Sequence, residues 1–86
     1  MKKFSVDFLD CIISILKNDL FRQKISYHRK NGLTELLKTE LLIHFKHVSE
    51  VILEFDTPSH CFTQEFKSLF EKLFAKKLVF NNGIIL

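Results

Sequence analysis

Apolar residues recur at helical spacing near the start of the chain. Phe8, Ile12, Leu16 and Leu20 follow at intervals of four, Leu9, Ile13 and Ile15 widen the stripe, and Asp7, Asp10, Ser14 and Lys17 stay polar. This pattern predicts an amphipathic helix from Ser5 to about Phe21, much of it buried. Ser5 is placed to cap its N-terminus, and Asp7 lies in the first turn, where the helix dipole favours negative charge. A second helix is predicted from about Leu33 to His47: Leu33, Leu37, Leu41, Phe45 and Val48 fall four or three apart, Leu36 lies alongside, and Glu35 and Lys38 take the wet side. Thr57-Pro58 supplies a cap followed by proline at the first helical position, and a third helix should run from there to about Lys77. Phe62, Phe66, Leu69, Phe70, Leu73 and Phe74 form its apolar stripe, with Glu65, Lys67, Lys72, Lys76 and Lys77 on its solvated face.

Two segments break the helical period. Val51-Ile52-Leu53-Glu54-Phe55 is a short apolar run with branched side chains, which favours a buried strand, although one helical turn is the other reading. At the end of the chain, Leu78-Val79-Phe80 and Ile84-Ile85-Leu86 flank Asn82-Gly83, a dipeptide suited to a tight type I′ turn. A C-terminal β-hairpin follows from that reading, with Ile84 or Leu86 packed on the last helix. The fold class is therefore α+β and mostly helical: three main helices, one short central strand and a C-terminal hairpin.

Length and composition narrow the architecture. With 86 residues there is room for one core, so residues 1–86 should form a single compact domain. Ten phenylalanines within a 47% apolar chain supply the side-chain volume for that core, and only two glycines and one proline leave little room for long loops. Cys11 and Cys61 are expected to be reduced core thiols, because small secreted domains usually carry several bridges. Met1-Lys2-Lys3-Phe4 resembles the start of a leader, but Asp7 and Asp10 interrupt the apolar run a leader requires. No stretch approaches the length of a membrane span, and the expected address is the cytoplasm.

A net charge of +3 is mildly basic and permits an acidic partner without requiring one. The charge concentrates in Arg22-Gln23-Lys24-Ile25-Ser26-Tyr27-His28-Arg29-Lys30, closed by the turn signal Asn31-Gly32. Arg22, Lys24, Arg29 and Lys30, with Tyr27 and His28 interleaved, could grip phosphates and stack on a base. Equally, they could be the ordinary charges of a solvated segment. The Phe- and Leu-rich stripes are core in most proteins, but with so many of them one face could remain exposed for a partner or a second copy.

The run Leu69-Phe70-Glu71-Lys72-Leu73-Phe74-Ala75-Lys76-Lys77-Leu78-Val79, leading into a turn and Ile-Ile-Leu, resembles the end of a winged-helix domain. That resemblance covers roughly the last 25 residues and implies a two-stranded wing after the last helix, in a fold that commonly handles nucleic acid. Two departures stand out: the segment before the last helix reads as a strand, and Lys77 occupies a position where that family often has glycine. A strand at Val51–Phe55 leading to a helix over Phe62–Phe74 is also similar to sulfate-transporter and anti-sigma-antagonist domains, over the middle of the chain alone.

Candidate catalytic groups are sparse. Arg22 and His28 have a spacing similar to the Arg-His motif of the higher-eukaryote and prokaryote nucleotide-binding RNases, in which the pair would polarise phosphate and shuttle a proton; such spacings also arise often by chance. His44 and His47, with His60-Cys61, could supply zinc ligands, yet no Cys-x-x-Cys anchors them, and surface histidines on a helix are the simpler explanation. Glu35, Glu40, Glu50 and Glu54 lack the lysine a nuclease-like cluster needs. There is no glycine-rich phosphate loop and no nucleophile elbow. The sequence therefore points to a non-catalytic regulatory binding module without cofactor or metal, acting through nucleic acid or a nucleic-acid-handling protein. A protein-binding adaptor or inhibitor, of the kind phages and mobile elements encode, is the first alternative and a small RNase the second.

Overall fold

The computed structural model describes residues 6–81, with side chains from residue 8 onward. Ser5, the Asn82-Gly83 turn and Ile84–Leu86 lie outside the described residues. In chain order the elements are α1 (Val6–Ile15), α2 (Asp19–Lys30), α3 (Thr34–Lys46), β1 (Glu50–Leu53), a 3₁₀ turn (Ser59–Cys61), α4 (Gln64–Phe74) and β2 (Lys77–Phe80).

The expected first helix is two helices, which makes four in place of three. Asn18 has extended backbone angles and its side chain accepts a hydrogen bond from the Phe21 N–H at 2.9 Å, a sound N-cap, with Asp19 in the first turn behind it. The chain therefore breaks over Leu16–Asn18 and restarts. Leu20, which continued the apolar stripe on paper, is exposed as a result. The basic run becomes α2, with Ile25 and His28 as its buried positions. It ends in a Schellman arrangement: Gly32 takes φ 69°, its N–H bonds the Arg29 carbonyl, and the Leu33 N–H bonds the His28 carbonyl. A side chain at Gly32 would meet no neighbouring atom, so only the backbone angle asks for glycine there.

Val51–Phe55 yields the expected strand, as β1 over Glu50–Leu53. Thr57-Pro58 leads to the 3₁₀ turn instead of opening the long helix. That helix starts at Thr63, whose hydroxyl accepts from the Phe66 N–H at 3.1 Å, and it ends at Ala75 in the left-handed region. The strand after it, β2, pairs with β1 in parallel, in register Glu50↔Lys77 through Leu53↔Phe80. A parallel pair requires a crossover, and α4 provides it. The described strands thus form a β-α-β unit, while the turn and second strand of the expected hairpin lie outside the described residues.

The core gathers Phe8, Ile12 and Leu16 of α1, Ile25 of α2, Leu37, Leu41 and Phe45 of α3, Leu53 of β1, Phe66, Phe70 and Phe74 of α4, and Leu78 of β2. Phe45 meets Phe70 edge to face at 5.2 Å and Phe74 at 4.7 Å, so aromatic contacts join α3 to α4. The two cysteines are not free thiols: Cys11 on α1 and Cys61 in the 3₁₀ turn form a buried disulfide, with Cα atoms 5.5 Å apart. Both are core-facing positions on elements packed together, a proximity that 50 residues of separation conceal in the sequence. No helix among the described residues is long and apolar enough to cross a membrane.

Candidate binding surface

Three of the four cations of α2, Arg22, Lys24 and Arg29, are tied to groups of the fold. Arg22 donates from Nη2 to the Leu16 carbonyl at 2.9 Å, serving the open C-terminal end of α1. Arg29 donates to Asp10 of α1 at 2.6 Å. Lys24 pairs with Glu40 of α3 at 3.3 Å. His28 is buried and its Nε2 stands 3.1 Å from the other oxygen of Glu40. A carboxylate only accepts, so Nε2 carries the proton and donates. Of the six predicted contact residues, Arg22, Tyr27 and Lys30 face solvent with no ion pair among the described residues, Arg22 being held by the Leu16 carbonyl, and the Tyr27 ring meets His28 edge-on at 6.1 Å. Sequence reading missed Asp10 and Glu40 as partners; nothing local signals them, since they come from α1 and α3.

The Lys24–Glu40 pair also fixes what surrounds it. On a helix, residues three and four positions away share a face. Leu20 and Tyr27 therefore lie beside Lys24 on α2, and Leu36 and Ile43 beside Glu40 on α3. Phe21 stacks on His44 at 4.5 Å beside the Lys24–Glu40 pair, contacts that fall in the order of an antiparallel helix pair. These four side chains are 77%, 57%, 61% and 46% exposed in the order Leu20, Ile43, Tyr27, Leu36. One outward face of the α2–α3 pair thus carries four large apolar groups around a central ion pair.

The remaining candidates do not converge. Arg22 and His28 are six positions apart on one continuous helix, about 120° around its axis. A hollow of about 350 Å³ beside Arg22 is lined by Ile13, Ser14, Asp56, Thr57 and Pro58, and not by His28. His44 is half-buried between Phe21 and Phe45, and His47 is exposed. The four glutamates form no cluster with metal-ligand spacing among the described residues; the one such group is Cys11, His60 and Cys61.

Three titratable groups give the fold a testable pH response. Burial lowers the His44 pKa below its ordinary 6.5. The hydrogen bond from His28, aided by Lys24, holds Glu40 below its ordinary 4.5. The Leu78 N–H, 2.8 Å from Glu71 Oε2, together with Lys67, does the same for Glu71. For all three, the unfolded chain takes up protons before the folded one, so stability falls as pH drops from the ordinary value to the lowered one. Urea melts should show constant stability above about pH 7, a first loss below 6.5 from His44 and a second below 4.5 from Glu40 and Glu71. His44→Gln should remove the first loss and keep the second; an unaltered profile in that variant would contradict the assignment.

No protein-family model, curated protein or solved structure matches the chain.

Proposed function

We propose that the chain is a non-catalytic protein-binding module that docks its partner on the outer face of α2 and α3. The observation that carries this reading is the exposed set Leu20, Tyr27, Leu36 and Ile43 around the Lys24–Glu40 pair. Large apolar groups at helical spacing suit an amphipathic partner helix, which would lie along this face and turn the pair into a small bundle. The central ion pair is already neutral, so covering it leaves no unpaired charge to desolvate. Exposed Lys30 and Lys46 at the margins favour a partner with acidic flanks. The partner proposed is a cellular protein, including one that handles nucleic acid.

Direct nucleic-acid binding is the second reading, favoured by the exposed Tyr27 and Lys30 side by side on the last turn of α2. It draws on fewer groups than the sequence promised, because Lys24 and Arg29 face carboxylates and Arg22 faces a carbonyl. A tagged chain captured from its host lysate should retain one stoichiometric protein through nuclease and high salt. Leu20→Asp with Ile43→Asp, checked for native helicity, should weaken that complex by about 30-fold or more, the loss expected for a buried anchor worth ~2 kcal/mol. Material released by nuclease, with log affinity falling steeply against log salt, would replace this reading with the second. A complex indifferent to both substitutions would remove the proposed face.

A further inference from the structure

On the side of the molecule where α1 meets the start of α4, a cleft of about 560 Å³ is lined by Phe8, Cys11, His60, Thr63, Glu65, Phe66 and Leu69. Cys11, bonded to Cys61, and the exposed His60 both line it. The two sulfur atoms and a ring nitrogen of His60 all lie within 4.8 Å of one another. Two thiolates and an imidazole are a donor set suited to zinc, which holds sulfur at about 2.3 Å and nitrogen at about 2.0 Å in a tetrahedron. Tetrahedral bonds of those lengths set neighbouring donors about 3.4 to 3.8 Å apart. The spacing found is therefore within side-chain rotation of what the metal needs. Charge agrees as well: the lining holds one carboxylate, Glu65, and no lysine or arginine.

We infer that, once its disulfide is reduced, this cleft is a zinc site in which Cys11, Cys61 and His60 are the protein ligands and the fourth position opens to the cleft. Reduction by a dithiol breaks the Sγ–Sγ bond, delivers two electrons and two protons to the cysteines, and leaves the reductant as its own disulfide. Metal entry then forms two Zn–S bonds and one Zn–N bond and releases both thiol protons to solvent. The cysteines are buried and His60 is exposed, so the ion approaches from the cleft side and meets the imidazole first. Disulfide and metal are alternative staples between α1 and the 3₁₀ turn. One is made under oxidising conditions and the other under reducing ones, so the same two elements stay joined in both.

Cobalt(II) reports the site directly, because thiolate ligation produces a strong near-ultraviolet charge-transfer band. The whole chain, reduced with a phosphine, should develop that band to saturation at one equivalent, whereas the oxidised chain should show none. His60→Ala changes an exposed residue and should keep the fold, yet it should weaken cobalt and zinc binding by at least about tenfold, the loss that even an outer-shell partner produces. One equivalent of zinc should also raise the melting temperature of the reduced wild-type chain. Absence of the band in the reduced wild type, undiminished binding by His60→Ala, or binding that leaves the melting temperature unchanged would each overturn the site. All three measurements stand apart from the α2–α3 face and from any partner.

Discussion

Reducing the Cys11–Cys61 bond in a metal-free buffer is expected to destabilise the chain by about 4 kcal/mol, from the loop-entropy relation for a closure of 50 residues. A domain of this size has a total stability of order 5–10 kcal/mol, so the bridge supplies a large share of it. At roughly 4–8 °C per kcal/mol for a domain this small, the melting temperature should fall by about 15–30 °C. The effect acts largely on the unfolded chain, which the bridge holds in a smaller ensemble; the folded contacts of α1 with the 3₁₀ turn persist. Paired thermal melts with and without phosphine, both with chelator present, make the comparison. Midpoints within a few degrees of each other would show that the bridge is not a principal restraint.

Replacing Phe70 by alanine should have an effect of similar size for a different reason. Phe70 is fully buried on α4, edge to face with Phe45 of α3 and in ring contact with Phe66 and Phe74 on either side. Its removal would forfeit the transfer free energy of the ring and open a cavity where three aromatic neighbours and two helices meet, a loss of about 3–5 kcal/mol. Denaturant melts at neutral pH would register this as a lower midpoint with an unchanged slope. Phe55 supplies the control: it is 79% exposed just beyond β1, and Phe55→Ala should change the stability by less than about 0.5 kcal/mol. Equal losses in the two variants would mean that the aromatic cluster is not the centre of the core.

What could be read along the chain was what depends on near neighbours. The stripe Phe62, Phe66, Phe70 and Phe74 is buried as its spacing required, and Val51–Leu53 is a strand as its branched residues favoured. The same rule failed between α1 and α2: Leu16 and Leu20 keep a four-residue interval across a break, and the period cannot show that Asn18 caps a new helix there. Segment 22–30 hid its helix because its buried positions are only Ile25 and His28, too few to raise an apolar stripe among so many polar residues. The partners Asp10, Glu40 and Cys61 could not be found at all by spacing, since each meets its counterpart through packing of separate elements. The exposed face could not be read in advance, since Leu20 continued an apolar stripe and Leu36 lay beside another, yet both stay outside in the fold.

The bond between Cys11 and Cys61 also makes the stretch between them a covalent ring, and α2, α3 and β1 all lie on it, while α4 and β2 hang from it as a tail. A protease that cuts any single peptide bond of that ring opens it without separating two pieces. The nicked chain gains only the mass of one water until a reductant is added. The proposed docking face, from Leu20 to Ile43, lies wholly within this ring. Under oxidising conditions a cut in the connection at Asn31–Leu33 therefore leaves α2 and α3 still tethered, one on each side of the break, to the same buried pair of sulfur atoms.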